Sequence, residues 1–117
     1  MDFDNGIPIY SQITELIKRR IASGELSPGD KVPAVRELAI EMGVNPNTMQ
    51  KALAALENEG LLHAERTSGR YVTSDTEVIE QLKRGMLNKE VNRFAEGIKA
   101  LGCTLSDALE SLNKILV

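Results

Sequence analysis

The feature that most constrains the fold is a pair of short, apolar-faced helical patterns joined by a glycine, followed by a hairpin pattern, within residues 33 to 72. The spacing i, i+3, i+4 and i+7, which marks one face of a helix, is met first by Val35, Leu38, Ala39 and Met42. It is met again by Met49, Ala52, Leu53 and Leu56. Two such helices around a tight turn are typical of a helix-turn-helix, whose second helix enters the DNA major groove.

The junction between the two patterns supports the same interpretation. Gly43 follows the first pattern, where a turn requires a positive φ that glycine adopts at little cost. Asn45 supplies an N-cap side chain, and Pro46 suits the first helical position. We therefore predict that a second helix begins at residue 46.

The remaining patterns complete a mostly α, α+β fold. We predict a helix from Pro8 to about Ser23, a loop over residues 24–30, and a two-stranded wing from residues 61–66 and 70–73. Ser74 with Glu77 reads as a capping box that opens a tail helix to about residue 101. Residues 102–104 break that helix, and Thr104 with Asp107 caps a final helix. The predicted domains are a winged helix-turn-helix at 1–74 and a C-terminal two-helix dimerisation hairpin at 75–117.

The motif residues resemble the winged-helix domain of the GntR family of bacterial transcription regulators. The match runs through residues 33–39, 43–49, 52–61 and 68–72. The Asn-Pro-Asn-Thr opening at 45–48 and the short tail resemble the YtrA subfamily in particular. The resemblance implies sequence-specific DNA binding, with repression as the default, and a C-terminal part that dimerises the chain and in most members binds an effector.

The exposed face of the second motif helix carries the candidate base readers. Opposite the apolar stripe lie Asn47, Lys51 and residues further along, with Thr48 and Gln50 on the flanks. Residues near the start of such a helix meet base edges, where Asn and Gln suit adenine and Lys suits guanine or phosphate. Thr48 could donate to a phosphate near the positive end of the helix. The alternative is an ordinary solvated face, which we favour only for Asn58.

Cationic and wing residues supply further candidate contacts. The resemblance implies that Arg36 contacts DNA where the first motif helix crosses the backbone; the alternative is an ion pair with Glu37 or Glu41. In the wing, Gly69 and Arg70 match the family's glycine-bearing tip. We expect Arg70, ahead of Arg66, to reach the narrow groove.

Several positions depart from the family pattern. Ala34 lacks the serine oxygen that would complete a capping box with Glu37. Pro46 and Gln50 stand where many members carry arginine, and Thr67 stands where a further glycine is common. Operator preference therefore cannot be carried over from arginine-bearing relatives, and adenine-containing half-sites are a plausible preference.

The charge balance argues that one copy binds DNA weakly. Residues 1–74 hold 8 Lys and Arg against 10 Asp and Glu, and residues 75–117 hold 6 against 7. DNA-binding domains are often basic overall. Affinity must therefore come from a local basic surface, for which the candidates are Arg36, Lys51, Arg66, Arg70 and Lys31, and from dimerisation.

The tail carries apolar stripes that two helices cannot bury against each other. The remainder should meet a second copy or fold back on the winged helix. The candidate dimerisation residues are Leu87, Val91, Phe94, Ile98, Leu105, Leu109, Leu112 and Leu116. About 43 residues are too few for the large effector domains of many relatives, so a small-molecule pocket would have to lie at the subunit interface.

Other function classes find little support. No nucleophile–base pair, phosphate-cradling loop or ligand cluster is visible, so we predict no enzyme activity, cofactor or metal. His63 and Cys103 read as structural or surface residues, although Cys103 could instead sense redox state. The polar N-terminus and the lack of a long apolar run predict a cytoplasmic chain without signal peptide or membrane contact. A winged helix used only for protein–protein contact remains the alternative function.

Overall fold

The computed structural model describes residues 3–116. Residues 1, 2 and 117, at the outer limits of the two predicted domains, lie outside that range, and so does the start of the predicted polar N-terminus. The elements in chain order are α1 (Ile9–Ser23), α2 (Val35–Met42), α3 (Pro46–Asn58), β1 (Leu62–Glu65), β2 (Gly69–Val72), α4 (Thr76–Ala100) and α5 (Leu105–Leu116). They form two compact units, of which the first ends at Lys83 and the second begins at Arg84. The predicted fold class, mostly α with a two-stranded wing, is confirmed.

The core of the first unit forms where α1, α2 and the wing strands surround α3. The helical stripes predicted for α2 and α3 are buried, apart from Val35, which is half-buried. On α1 the buried residues are Ile13, Ile17 and Ile21. Ile9, one turn earlier in the same stripe, is 47% exposed because it opens the helix. Periodicity therefore identifies the inward face but not how far the core extends along it.

The turn between α2 and α3 forms as predicted. Gly43 has φ of 67°, a left-handed conformation, and its backbone N–H donates to carbonyls at the end of α2. At the other end of α2, Ala34 occupies the N-cap without any side-chain hydrogen bond. The side-chain cap that Ala34 cannot supply is thus absent at this helix start.

The wing is an antiparallel hairpin that is extended by the chain before α2. Leu62 pairs with Val72 and Glu65 with Gly69, so the turn occupies residues 66–68. On the other side of β2, an isolated bridge joins Lys31 to Tyr71, and the N–H of Val32 donates to the carbonyl of Arg70 at 2.9 Å. These bonds fix the wing to the start of α2.

The first turns of α4 belong to the first unit. Val78, Ile79 and Leu82 are half-buried and pack against its core. The cap of this helix differs from the predicted capping box. Oδ1 of Asp75 accepts from the N–H of Glu77 at 3.0 Å, so Asp75 is the capping residue and the Ser74 prediction is wrong by one position.

The second unit is a helical hairpin made of the later part of α4 and of α5. At the start of α5, the N–H of Asp107 donates to Oγ1 of Thr104, and the N–H of Thr104 donates back to Oδ2 of Asp107. This is a reciprocal capping box, as predicted. Hydrogen bonds from the backbone and the hydroxyl of Thr104 lower the pKa of Asp107, because they favour the charged carboxylate.

The hairpin has almost no core of its own. Among the described residues of α4 and α5, only Ala108 is buried. An apolar cleft of about 450 Å³ runs between the two helices, lined mainly by Val91, Phe94, Ala95, Ile98, Leu105, Ala108 and Leu112. Of the predicted dimerisation residues, Ile98 and Leu112 are half-buried in the single chain, and the other six are exposed.

Candidate nucleic-acid interface

The start of α3 is stabilised by a cap that does not involve the outward side chains of the helix. Oδ1 of Asn45 accepts a hydrogen bond from the backbone N–H of Asn47 at 2.7 Å, and Pro46 is the first helical residue. The side chains of Asn47 and Gln50 are exposed, and Thr48 is half-buried. The first turn of α3 therefore presents amide and hydroxyl groups around a rigid helix start.

The two faces of α3 are sharply different. Met49, Ala52, Leu53 and Leu56 are at most 1% exposed and hold the helix against the core. Lys51 and Asn58 are exposed on the other side. Because the buried stripe fixes the rotation of the helix, the polar face must point outward, as the sequence predicted.

Arg70 of the wing lies against α3. Its Nε donates to Oε1 of Glu57, and its Nη1 donates to Oε1 of Gln50 at 3.4 Å. The Arg70 side chain is 18% exposed and that of Glu57 30% exposed, so the ion pair is partly shielded from water. The structure thus joins two predicted contact residues, Gln50 and Arg70. Arg66 is the exposed cation at the hairpin turn.

Lys51 is held at the edge of the same face by an aromatic ring. Its Nζ lies 4.1 Å from the centroid of the Tyr10 ring, a cation–π contact between α3 and α1. Tyr10 is itself half-buried against the core. The ammonium group therefore lies over a side chain of α1.

Arg36 lies in the first turn of α2 and is exposed. No hydrogen bond or ion pair joins it to another residue within 3–116. One of the two carboxylates proposed as its partner, Glu41, bonds Arg20 of α1 at 2.9 Å instead. The ion-pair alternative for Arg36 therefore lacks structural support, and its guanidinium is available for an external anion.

Sequence reasoning missed two residues of this surface. Glu57 is seven residues, or two helical turns, after Gln50, so the spacing predicts that both lie on the same face of α3. The spacing does not predict that Arg70 of the wing contacts Glu57. Tyr10 gave no signal, because its contact with Lys51 depends on how α1 packs on α3.

Other polar groups form no recognisable site. His63 stacks on Tyr71 with ring centroids 5.9 Å apart, and its Nε2 lies 3.3 Å from Oε1 of Glu65. Cys103 is exposed in the turn between α4 and α5. Within residues 3–116 no group of three or more His, Cys, Asp or Glu side chains could hold a metal ion. None of the helices described is long and apolar enough to cross a membrane.

Comparison with known proteins shows which proteins this chain is similar to. Residues 9–72 match the model of the bacterial regulatory proteins of the gntR family. The chain is 34% identical to the HTH-type transcriptional repressor YtrA of Bacillus subtilis, over 86% of this chain and 89% of the relative.

Solved structures agree. A GntR family transcriptional regulator from Listeria monocytogenes superposes with a TM-score of 0.87 at 35% identity, covering 97% of this chain and 99% of that one. The DNA-binding domain of AraR, solved in complex with an operator, matches 57% of this chain and 81% of its own, with a TM-score of 0.55 and 34% identity.

The family and these relatives are regulators, so the prediction that the chain is no enzyme is confirmed. The winged helix of the first unit is the part that the family model covers. The resemblance seen in the motif residues is borne out over nearly the whole chain. This protein belongs to the GntR family of bacterial transcription regulators.

Proposed function

We propose that this chain is a transcriptional repressor that binds an inverted-repeat operator as a homodimer, with α3 of each copy in the major groove. The observation that carries the proposal is the division of α3 into a fully buried stripe and an exposed polar first turn. Residues near the start of a helix inserted in this way reach base edges. The repressor assignment is supported by YtrA, a relative named for that activity.

Base contacts in this proposal come from Asn47 and Gln50. The Asn47 amide can donate and accept, and the Gln50 amide, whose oxygen faces Arg70, can donate; both match groups on base edges in the major groove. Thr48, half-buried beside them, donates to a phosphate at the positive end of α3. Lys51, displaced toward Tyr10, contacts guanine or a flanking phosphate.

Phosphate contacts come from exposed cations on either side of α3. Arg36 has no partner within the described residues and lies where the first motif helix crosses the backbone. In the wing, Gly69 allows close approach of the chain, and the exposed Arg66 is now the better candidate for the narrow groove. Arg70 contributes indirectly, because it contacts the side chain of Gln50.

The dimer in this proposal is built by the tail. Leu105 and Leu116 are 73% and 77% exposed in the single chain, and Leu87, Val91, Phe94 and Leu109 also remain exposed. Apolar surface on this scale is a marker of an interaction site. We propose that a second copy covers this surface, because a two-fold axis would bury the same stripes on both chains.

The functional division after residue 74 stays a prediction. The packing of Val78, Ile79 and Leu82 on the core argues that a stable DNA-binding fragment extends to Lys83. The tail contribution then begins at about Met86. A regulator of this kind works beside the bacterial chromosome, in the cytoplasm.

The experiment is footprinting of the full chain on the DNA upstream of its own gene, combined with titration against scrambled DNA at several salt concentrations. We expect two protected half-sites related by two-fold symmetry, and specific binding roughly 10³–10⁷ times tighter than random binding. The alternative, a winged helix used only for protein contact, requires no protection and no salt-dependent DNA binding.

A further inference from the structure

Glu57, Arg70 and Gln50 form a chain of contacts that links the wing to the exposed face of α3. We propose that Glu57 is a positioning residue: it holds Arg70 so that Gln50 presents its amide N–H₂ outward, and the half-site position read by Gln50 is thereby biased from adenine toward guanine. This rests on the proposed function, in which Gln50 touches a base. It reverses the adenine preference that the sequence suggested for Gln50.

The orientation of the Gln50 amide follows from chemistry. A guanidinium group has five N–H donors and no acceptor. The amide atom that faces Nη1 of Arg70 must therefore be the oxygen, Oε1, and the amide nitrogen must point the other way. Since Gln50 is exposed, its two N–H donors are the groups that an incoming base meets.

The base code then decides the preference. Adenine is read bidentately by an amide whose oxygen accepts from N6 and whose nitrogen donates to N7. With its oxygen turned to Arg70, Gln50 keeps only the second of these bonds. Guanine offers two acceptors, N7 and O6, and no donor in the major groove. A donor-only Gln50 therefore suits guanine better than adenine.

Glu57 is needed because the contact between Arg70 and Gln50, at 3.4 Å, is long for a hydrogen bond. The ion pair with Glu57 anchors the other end of the guanidinium, and its partial burial limits screening by salt. Glu57 and Gln50 are separated by seven residues, or about 10.5 Å along the helix. Arg70 thus spans two turns of α3 and cannot turn away without losing its ion pair.

The decisive measurement is the base preference of full-length variants at one operator position. Gln50→Ala first locates the position, as the one in each half-site where discrimination disappears. There we expect the wild type to bind the guanine operator more tightly than the adenine operator. Glu57→Gln and Arg70→Lys should each reduce that ratio roughly three- to tenfold, the loss expected for one ordinary hydrogen bond.

Glu59→Gln is the matched control. Glu59 also lies at the end of α3, and it pairs with Lys18 at 2.9 Å, away from the wing. The control should leave the guanine-to-adenine ratio unchanged, although it removes an ion pair of similar kind. An equal shift in Glu59→Gln and Glu57→Gln would overturn the proposal, since the effect would then be a general loss of charge.

A second measurement needs no DNA. In the free protein, Glu57→Gln and Arg70→Lys should shift the side-chain N–H₂ resonances of Gln50 in NMR spectra, and Glu59→Gln should not. If Gln50→Ala alters no base preference, the reader assigned in the proposed function is wrong, and this inference falls with it. If Gln50→Ala does alter it but Glu57→Gln and Arg70→Lys do not, only the positioning role is overturned.

Discussion

The two units of this chain bury their apolar residues very differently. In the first, Ile13, Met49, Leu56 and Val72 have no exposed surface. In the second, only Ala108 is buried among the described residues. The helices of both units carry equally regular apolar stripes, so the sequence pattern alone does not distinguish the two units. The first unit therefore completes its core within one chain, whereas the second leaves its apolar stripes exposed, which is why we propose that a second copy covers them.

Disrupting the proposed dimer interface of the tail should weaken DNA binding more than any other change considered. Leu109→Asp with Leu112→Asp places two charges on the face that we assign to the second copy. Operator affinity should fall by about 10²–10⁴, the avidity that linked modules usually gain. The measurement is titration of the full-length variant on one operator. Unchanged affinity would mean that one winged helix suffices for binding.

A core substitution in the first unit should act on stability. Leu53→Ala removes a side chain that is 1% exposed, and truncations of this kind cost about 2–5 kcal/mol in the free energy of unfolding. Leu101→Ala, at a 75% exposed position near the end of α4, is the matched control and should cost less than about 0.5 kcal/mol. Urea unfolding measures both, and similar losses would contradict the contrast between the units.

On the polar face of α3, Gln50→Ala should weaken specific binding by about 1–3 kcal/mol and affect random DNA much less. The reason is that a base contact discriminates sequences, whereas a phosphate contact does not. Competition titrations with operator and scrambled DNA give both values. Equal losses on the two DNAs would make Gln50 a backbone contact.

The start of α2 offers a gain of stability. Ala34→Ser would supply the missing cap, with Glu37 completing the capping box, and should raise the free energy of unfolding by about 0.5–2 kcal/mol. Thermal or urea unfolding detects the change. Ala34→Gly, which restores no side-chain oxygen, should not reproduce the full gain.

The smallest effect concerns a single phosphate contact. Arg36→Ala should weaken specific and random DNA alike and reduce the slope of log affinity against log salt by about one unit. Arg19→Ala, an exposed arginine on α1 outside the proposed interface, is the control. An unchanged slope would mean that Arg36 makes no phosphate contact.

Local rules predicted the helices, the turn at Gly43, the Asn45 cap and the box at Thr104 and Asp107, because each depends on neighbours in the chain. They failed at Ser74, since two adjacent residues could both cap and only the start of α4 decides between them.

The candidate site divides in the same way. That Asn47 and Gln50 face outward follows from the period of the helix. The pairing of Arg70 with Glu57 and the seat of Lys51 on Tyr10 arise from packing between elements that are distant in sequence. No local pattern encodes those contacts, so the sequence predicts that Arg70 reaches DNA but not that it also pairs with Glu57 of α3.

We infer that a second copy covers the exposed apolar faces of the tail. The molar mass of the DNA-free chain, measured by light scattering for the wild type and for Leu109→Asp with Leu112→Asp, tests this inference. Ile40→Asp is the control, because Ile40 is equally apolar and 82% exposed but lies on α2. We expect twice the chain mass for the wild type and the control, and the single-chain mass for the tail variant. A wild type with the mass of one chain, or a tail variant that stays dimeric, would show that these tail residues do not form a dimer interface.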